Sequence, residues 1–173
     1  MNRVLAQFDQ LEFETCKRVN GLSRIRGVRP FFTLISKLGD GWLWYALIAA
    51  FLIKNGVSAA APALKLTVAA LAGLGLYKLL KTRLVRERPF ISFRSIECGT
   101  PPLDRYSFPS GHTLHAVNFT ILFAAFVPGS IFFLFPFTIL VALSRVILGL
   151  HYPTDVAAGA ALGALLSLGV LAI

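Results

Sequence analysis

Apolar residues in this chain arrive in long runs, separated by short polar stretches. Residues 4–20 are the exception. There Val4, Leu5, Phe8 and Leu11 recur at near-helical spacing among polar neighbours, which predicts an amphipathic helix lying on a membrane surface. Arg18, Arg24, Arg26 and Arg29 follow, then Pro30, and read as an interfacial linker. The first apolar run, 31–53, is broken by Lys37 and by Gly39-Asp40-Gly41. It predicts one span over 38–54, with a turn or helix start at the glycines and Trp42, Trp44 and Tyr45 in the interfacial belt. A second span is predicted over 57–80, where Gly73 and Gly75 would let another helix approach closely. Residues 81–111 form the longest polar connection, and Pro89, Pro101, Pro102 and Pro109 keep it mostly non-helical. Three further spans follow at 113–127, 130–150 and 155–173, with Pro128-Gly129 as a turn and Pro136 as a candidate kink.

This pattern predicts an all-α integral membrane bundle, with about five transmembrane helices plus the N-terminal amphipathic helix. It forms a single domain over 1–173, divided into an interfacial segment at 1–30 and a helical bundle at 38–173. The even number of crossings between two of its polar stretches has a consequence. The 81–112 connection and the 150–155 turn fall on the same side of the membrane, so polar groups in both can converge.

Composition agrees. The chain is 56% hydrophobic and 14% charged, with mean hydropathy +0.72, well outside the soluble norm. Its net charge of +9 fits anionic headgroups and bound phosphate. No nucleic-acid motif accompanies that charge, which argues against nucleic acid as a partner. The two cysteines, Cys16 and Cys98, have no metal-ligand spacing and make no disulfide framework. Nothing near Met1 reads as a cleavable signal peptide.

Three polar stretches carry candidate chemistry, and each borders an apolar run. His151 and Asp155 lie four positions apart, close enough for the carboxylate to fix the ring tautomer and leave the other nitrogen nucleophilic. A plain His–Asp helix cap would look the same. Ser110 is a natural N-cap, and Gly111 admits close approach to the amides of a helix N-terminus. His112 would then stand beside the bound anion as a proton donor. Lys81, Arg88 and Arg145 supply fixed positive charge for the oxygens of a transferring phosphoryl group. For Lys81, Arg83 and Arg86, headgroup contact is the alternative. Arg145 lies inside an apolar run, where a charge usually has a function.

These residues match a known pattern: Lys81, six residues, then Arg88-Pro89; Pro109-Ser110-Gly111-His112; and Ser144-Arg145 followed by His151 and Asp155. The sequence resembles the type 2 phosphatidic acid phosphatase superfamily of membrane lipid phosphatases, over roughly 38–173. The resemblance implies a metal-independent phosphatase with no cofactor, acting on a membrane lipid phosphate or diphosphate. Undecaprenyl diphosphate ranks ahead of phosphatidylglycerol phosphate, phosphatidic acid and lipid A phosphate. It implies that His151 forms a phosphohistidine, that Asp155 orients His151 and that His112 is the general acid. Lys81, Arg88, Ser110, Gly111 and Arg145 would bind the phosphate. Asp40, Glu87, Asp104 and Arg105 are candidates for the substrate rim, and His115 reads as structural. Many bacterial members have six spans, so the N-terminal helix here would replace the first. A vanadate-dependent haloperoxidase would share the motifs, but the short, membrane-embedded chain argues against it. A non-catalytic lipid-binding or transport protein is disfavoured by the intact His112 and His151. The resemblance further implies a multi-pass protein of the bacterial cytoplasmic (inner) membrane with a periplasmic site. That placement opposes the positive-inside rule, because every Lys and Arg except Lys54 and Lys65 falls on the side of the site.

Overall fold

The computed structural model describes residues 3–173, with side chains from Asp9 onward. The residues Met1 and Asn2, and the apolar face expected from Val4, Leu5 and Phe8, lie outside what is described. Among the described residues all regular structure is helical. The helices are α1 (Arg3–Gly21), α2 (Val28–Leu38), α3 (Trp42–Asn55), α4 (Ala60–Arg83), α5 (Pro89–Ser92), α6 (Gly111–Phe126), α7 (Ile131–Ile147) and α8 (Pro153–Leu171).

The bundle is built around α6, which packs against α4, α7 and α8. Leu114, Ala116, Phe119, Leu122 and Phe123 of α6 are buried. Trp44 of α3 stacks on Phe119, with centroids 5.0 Å apart and planes 2° from parallel. Polar side chains tie α6 to its neighbours inside this core. Thr120 and Thr138 hydroxyls meet at 2.7 Å, and the Ser167 hydroxyl donates to Asn118 Oδ1 at 2.8 Å. Each bond replaces one that lipid cannot supply.

Glycines set the spacing. A Cβ on Gly159 of α8 would lie 2.5 Å from the Ser110 carbonyl oxygen, and one on Gly73 of α4 would lie 2.8 Å from Leu114. Those helices approach α6 because these positions lack side chains. Gly75 faces open space, so the second glycine expected to admit a neighbour does not.

Among the described residues, three stretches are long and apolar enough to cross a membrane: Trp42–Arg83, Pro128–Ile147 and Pro153–Leu171. The first contains both α3 and α4. Gly56, at φ 60°, ends α3, and a short 3-10 turn leads into α4. Tyr45 and Ile48 then share a pocket wall with Thr67, Ala70 and Leu74, which places the two helices side by side. At 16 residues α6 is shorter than a full span and is shielded by its neighbours.

Several expected boundaries move. Helix α7 runs on through Pro136 but stops at Ile147, so the span expected to reach residue 150 is shorter. Gly149, at φ 71°, turns the chain before α8 begins at Pro153. Residues 28–38, expected as linker and apolar run, form α2. Gly27 in the left-handed region precedes it and Gly39 caps it. It buries Ile35 and Ser36 and packs against α7. Helix α1 is also more than a surface float. It contacts α7 and α8, burying Glu12, Cys16 and Asn20. Cys16 joins Ile96, Val146 and Tyr152 in a small second core, with Phe13, Phe90 and Phe93 around it.

Candidate active site

The ends of the bundle helices determine where the site lies. Lys81 sits in the last turn of α4, Arg145 in the last turn of α7, Ser110 caps α6, and Asp155 stands in the first turn of α8. All four ends meet at one end of the bundle, as the crossing parity predicted. An open cleft lies between them, lined by Lys81, Arg88, Gly111, His112, Arg145 and His151.

His151 is 2% exposed. Its Nε2 is 3.2 Å from Arg88 Nη1. A guanidinium can only donate, so Nε2 carries the lone pair and Nδ1 the proton. Nδ1 faces Asp155 Oδ2 at 3.6 Å, within ion-pair range but beyond a hydrogen bond. It has no hydrogen-bond partner among the described residues. Burial, and after it the cations of Arg145, Arg88 and Lys81, push the His151 imidazole well below its ordinary value. A neutral ring with its lone pair toward the cleft is the form a nucleophile requires.

Asp155 is fully buried and fixed from two sides. Its Oδ2 accepts the Tyr152 amide at 2.8 Å, closing a capping box at the start of α8. Its Oδ1 accepts from Arg86 Nη1 at 2.7 Å.

The cations are arranged around an internal anion. Asp104 Oδ1 accepts from Lys81 Nζ at 2.6 Å and from Arg88 Nη2 at 2.7 Å. Burial alone would raise the Asp104 carboxyl, but Lys81 and Arg88 overturn that and hold it below its ordinary value. Lys81 also donates to the Tyr106 carbonyl at 2.9 Å, and Arg88 to the Leu150 carbonyl at 2.8 Å. Opposite them, Arg145 is 2% exposed. It donates through Nη1 to Ser36, while its Nε finds no partner among the described residues.

Ser110 caps α6 by accepting from the Thr113 amide. Gly111 and His112, the first residues of α6, line the cleft, so the N-terminal end of that helix borders it, the end that favours an anion. Gly111 lies against the Tyr77 ring. His112 reaches across to Asp40, its Nε2 hydrogen-bonded to Oδ1.

The structure thus brings together all eight residues singled out in the three motifs. Of the rim candidates, Asp40 and Asp104 line the cleft, whereas Glu87 and Arg105 do not. Glu87 is exposed beside Ser92, and the Arg105 guanidinium lies over Tyr106. His115, expected as structural, lines the cleft wall. Arg86, allowed a headgroup role, turns inward to Asp155. Two contributors carried no sequence signal: Ser36, which reaches Arg145 from α2, and Glu12, which reaches Arg86 from α1.

The site is thus a buried histidine beneath a cluster of cations, set among apolar helices. The family model described as the PAP2 superfamily matches residues 62–173, and the chain belongs to that superfamily. A decaprenylphosphoryl-5-phosphoribose phosphatase of Mycobacterium tuberculosis is 38% identical over 88 residues, which is 50% of this chain and 46% of that protein. The chain thus spans about half the length of the mycobacterial relatives it matches. An undecaprenyl-diphosphatase of Sulfolobus acidocaldarius is 28% identical over 154 residues, covering 86% of this chain and 70% of its own. The crystal structure of Aquifex aeolicus LpxE superimposes with TM-score 0.80 at 26% identity, covering 92% of this chain and 94% of that one. A PAP2-type phosphatidylglycerolphosphate phosphatase from Bacillus subtilis gives TM-score 0.76 at 25% identity, over 94% and 84%.

Proposed function

We propose that this integral membrane protein hydrolyses the phosphomonoester or diphosphate of a membrane lipid through a phosphohistidine. The observation that carries the reading is the His151 geometry, with the Nε2 lone pair aimed into a cationic cleft beside Arg88 at 3.2 Å. In the first step Nε2 attacks phosphorus, and the bond from phosphorus to the lipid oxygen breaks. His112 gives that leaving oxygen its proton. In the second step water attacks the phosphohistidine, His112 takes the water's proton, and the P–N bond breaks to release phosphate. Asp155 holds the Nδ1 side of the ring through both steps. Lys81, Arg88, Arg145, Ser110 and the Gly111 amide neutralise the phosphoryl oxygens.

The apolar cleft wall accounts for a lipid substrate. Tyr45, Ala70, Leu74 and His115 line both the cleft and an adjoining pocket between α3 and α4. A headgroup can sit on the cations while its tail stays in the bilayer. Relatives named for decaprenyl and undecaprenyl substrates support polyprenyl lipids, with undecaprenyl diphosphate first. The proposed location is the cytoplasmic membrane, with the site on the periplasmic face.

The test is phosphate release by purified protein from a panel of lipid phosphates, with and without EDTA. Release that is strongest with undecaprenyl diphosphate and undiminished by EDTA supports the reading. No release from any lipid phosphate, or loss in EDTA restored by Mg²⁺, overturns it. Sidedness is read by labelling a Thr100→Cys variant in intact cells with an impermeant thiol reagent. Labelling before permeabilisation is expected, and labelling only afterwards would place the site in the cytoplasm.

A further inference from the structure

The site does not end at the motif residues. Asp155 is fully buried, and its Oδ1 is satisfied by Arg86, which lies between Lys81 and Arg88 in sequence. Arg86 is itself held from three directions. Its Nη2 donates to Glu12 Oε2 at 2.5 Å, its Nη1 also donates to Thr154 Oγ1 at 2.8 Å, and its guanidinium lies 3.9 Å over the Tyr152 ring. Glu12 completes the circuit by accepting the Thr154 amide at 3.0 Å. Glu12 is 7% exposed, an unusual burial for a carboxylate on an otherwise amphipathic helix.

The charges explain the arrangement. Glu12 and Asp155 are two buried carboxylates in one small space, and both accept from the same guanidinium. Without Arg86 they would oppose each other directly. Asp155 would then lose the one cationic side chain bonded to it among the described residues, and with it the restraint that keeps Oδ2 facing His151. Asp155 is also bonded through the Tyr152 amide, and that bond fixes only one oxygen. A carboxylate free to turn about it no longer defines the imidazole's orientation.

We propose that Glu12 and Arg86 are positioning residues for the nucleophile: α1 pins Arg86, Arg86 orients Asp155, and Asp155 orients His151. The N-terminal helix then belongs to the catalytic apparatus as well as to the membrane interface. This rests on the reading of His151 as the nucleophile.

The experiment compares Arg86→Gln, Arg86→Lys, Glu12→Gln and the double variant Glu12→Gln/Arg86→Gln with wild type. Rates are counted per phosphoenzyme-forming site, in base-quenched single-turnover assays, so that loss of folded protein does not register. The Arg86→Gln variant should lose about 10- to 100-fold in phosphoenzyme formation, the range typical of orienting partners, with KM within about threefold of wild type. Arg86→Lys should recover part of the loss, since a single ammonium can still bridge the two carboxylates. The Glu12→Gln change should cost less than Arg86→Gln. The double variant should be no slower than Arg86→Gln alone, because residues acting in series are not additive. Per-site rates within about twofold of wild type for Arg86→Gln, a loss confined to KM, or a lysine variant no better than the glutamine one would each overturn the inference. Failure of the wild-type protein to form any phosphoenzyme would instead strike the proposed function beneath it.

Discussion

At the scale of single residues, the Arg88 contact that assigns the His151 tautomer is decisive, because only an unprotonated Nε2 can attack phosphorus. His151→Ala should therefore abolish both turnover and the trapped phosphoenzyme. His112→Ala should slow turnover by about 10²–10⁴, as loss of a general acid–base does, while leaving inorganic phosphate able to bind. Assays of release and of base-stable phosphoprotein separate the two. Near-native rates from His151→Ala would refute the assignment. The depressed affinity of His151 for a proton also has a sign for stability. The folded ring stays neutral where an unfolded histidine, near pH 6.5, begins to protonate. Below that pH the unfolded chain binds a proton that the fold refuses, so stability falls on acidification. Thermal unfolding in detergent should show a lower midpoint at pH 5 than at pH 7, and His151→Gln should reduce that difference. The motif residues were legible because each chemical role admits few residue types at fixed spacings. Their pairings were not, although Asp40 and Asp104 already stood among the rim candidates. Ser36, Asp40 and Asp104 meet Arg145, His112 and Lys81 across 109, 72 and 23 positions, and no local pattern encodes such meetings.

At the scale of elements, α1 and α2 show where the hydropathy pattern lost information. An amphipathic helix on a membrane and one docked on a bundle have the same periodicity. What separates them is the few polar residues that the docked face must satisfy. Asn20 donates from Nδ2 to the Ile147 carbonyl at 2.9 Å, and its Oδ1 accepts the Glu97 amide at 2.9 Å. Such a residue reads in sequence as ordinary surface. Docking makes a prediction about the two thiols. Burial first, and the carboxylates of Glu12 and Asp155 next, push the Cys16 thiol up to about 12, and Cys16 is 1% exposed. It should resist maleimide at neutral pH, whereas the half-buried Cys98 should react. Rapid labelling of Cys16 would mean that α1 is not docked. Glycine contacts give a second prediction. Gly159→Ala would drive a Cβ into the Ser110 carbonyl. It should lower stability by about 1–3 kcal/mol, the range for overpacking, and activity with it. Gly75→Ala faces open space and should be neutral or slightly stabilising. Thermal unfolding of the pair checks both.

At the scale of the whole molecule, the five bundle helices alternate so that the chemistry collects at one end. That much followed from counting apolar runs. The lengths of those runs misled where chain turns are apolar, as at 148–150, where Leu148-Gly149-Leu150 continues the run but leaves the helix. The same gathering concentrates positive charge on a chain whose net charge is +9. Left bare, such an end would hold its product as firmly as its substrate. Asp104 changes that balance, because it bridges Lys81 and Arg88 from within the chain. It is a tethered competitor, present at an effective concentration that a short loop sets at about the millimolar level. Every free anion must displace it. A lipid substrate does so with the added grip of its tail, and inorganic phosphate has no such help. Asp104→Asn should therefore let inorganic phosphate inhibit at concentrations about tenfold lower, a shift of roughly 1.4 kcal/mol. Unchanged inhibition would show that Asp104 does not compete. Under the proposed hydrolysis, this device would keep a cationic site from being throttled by the anion it releases.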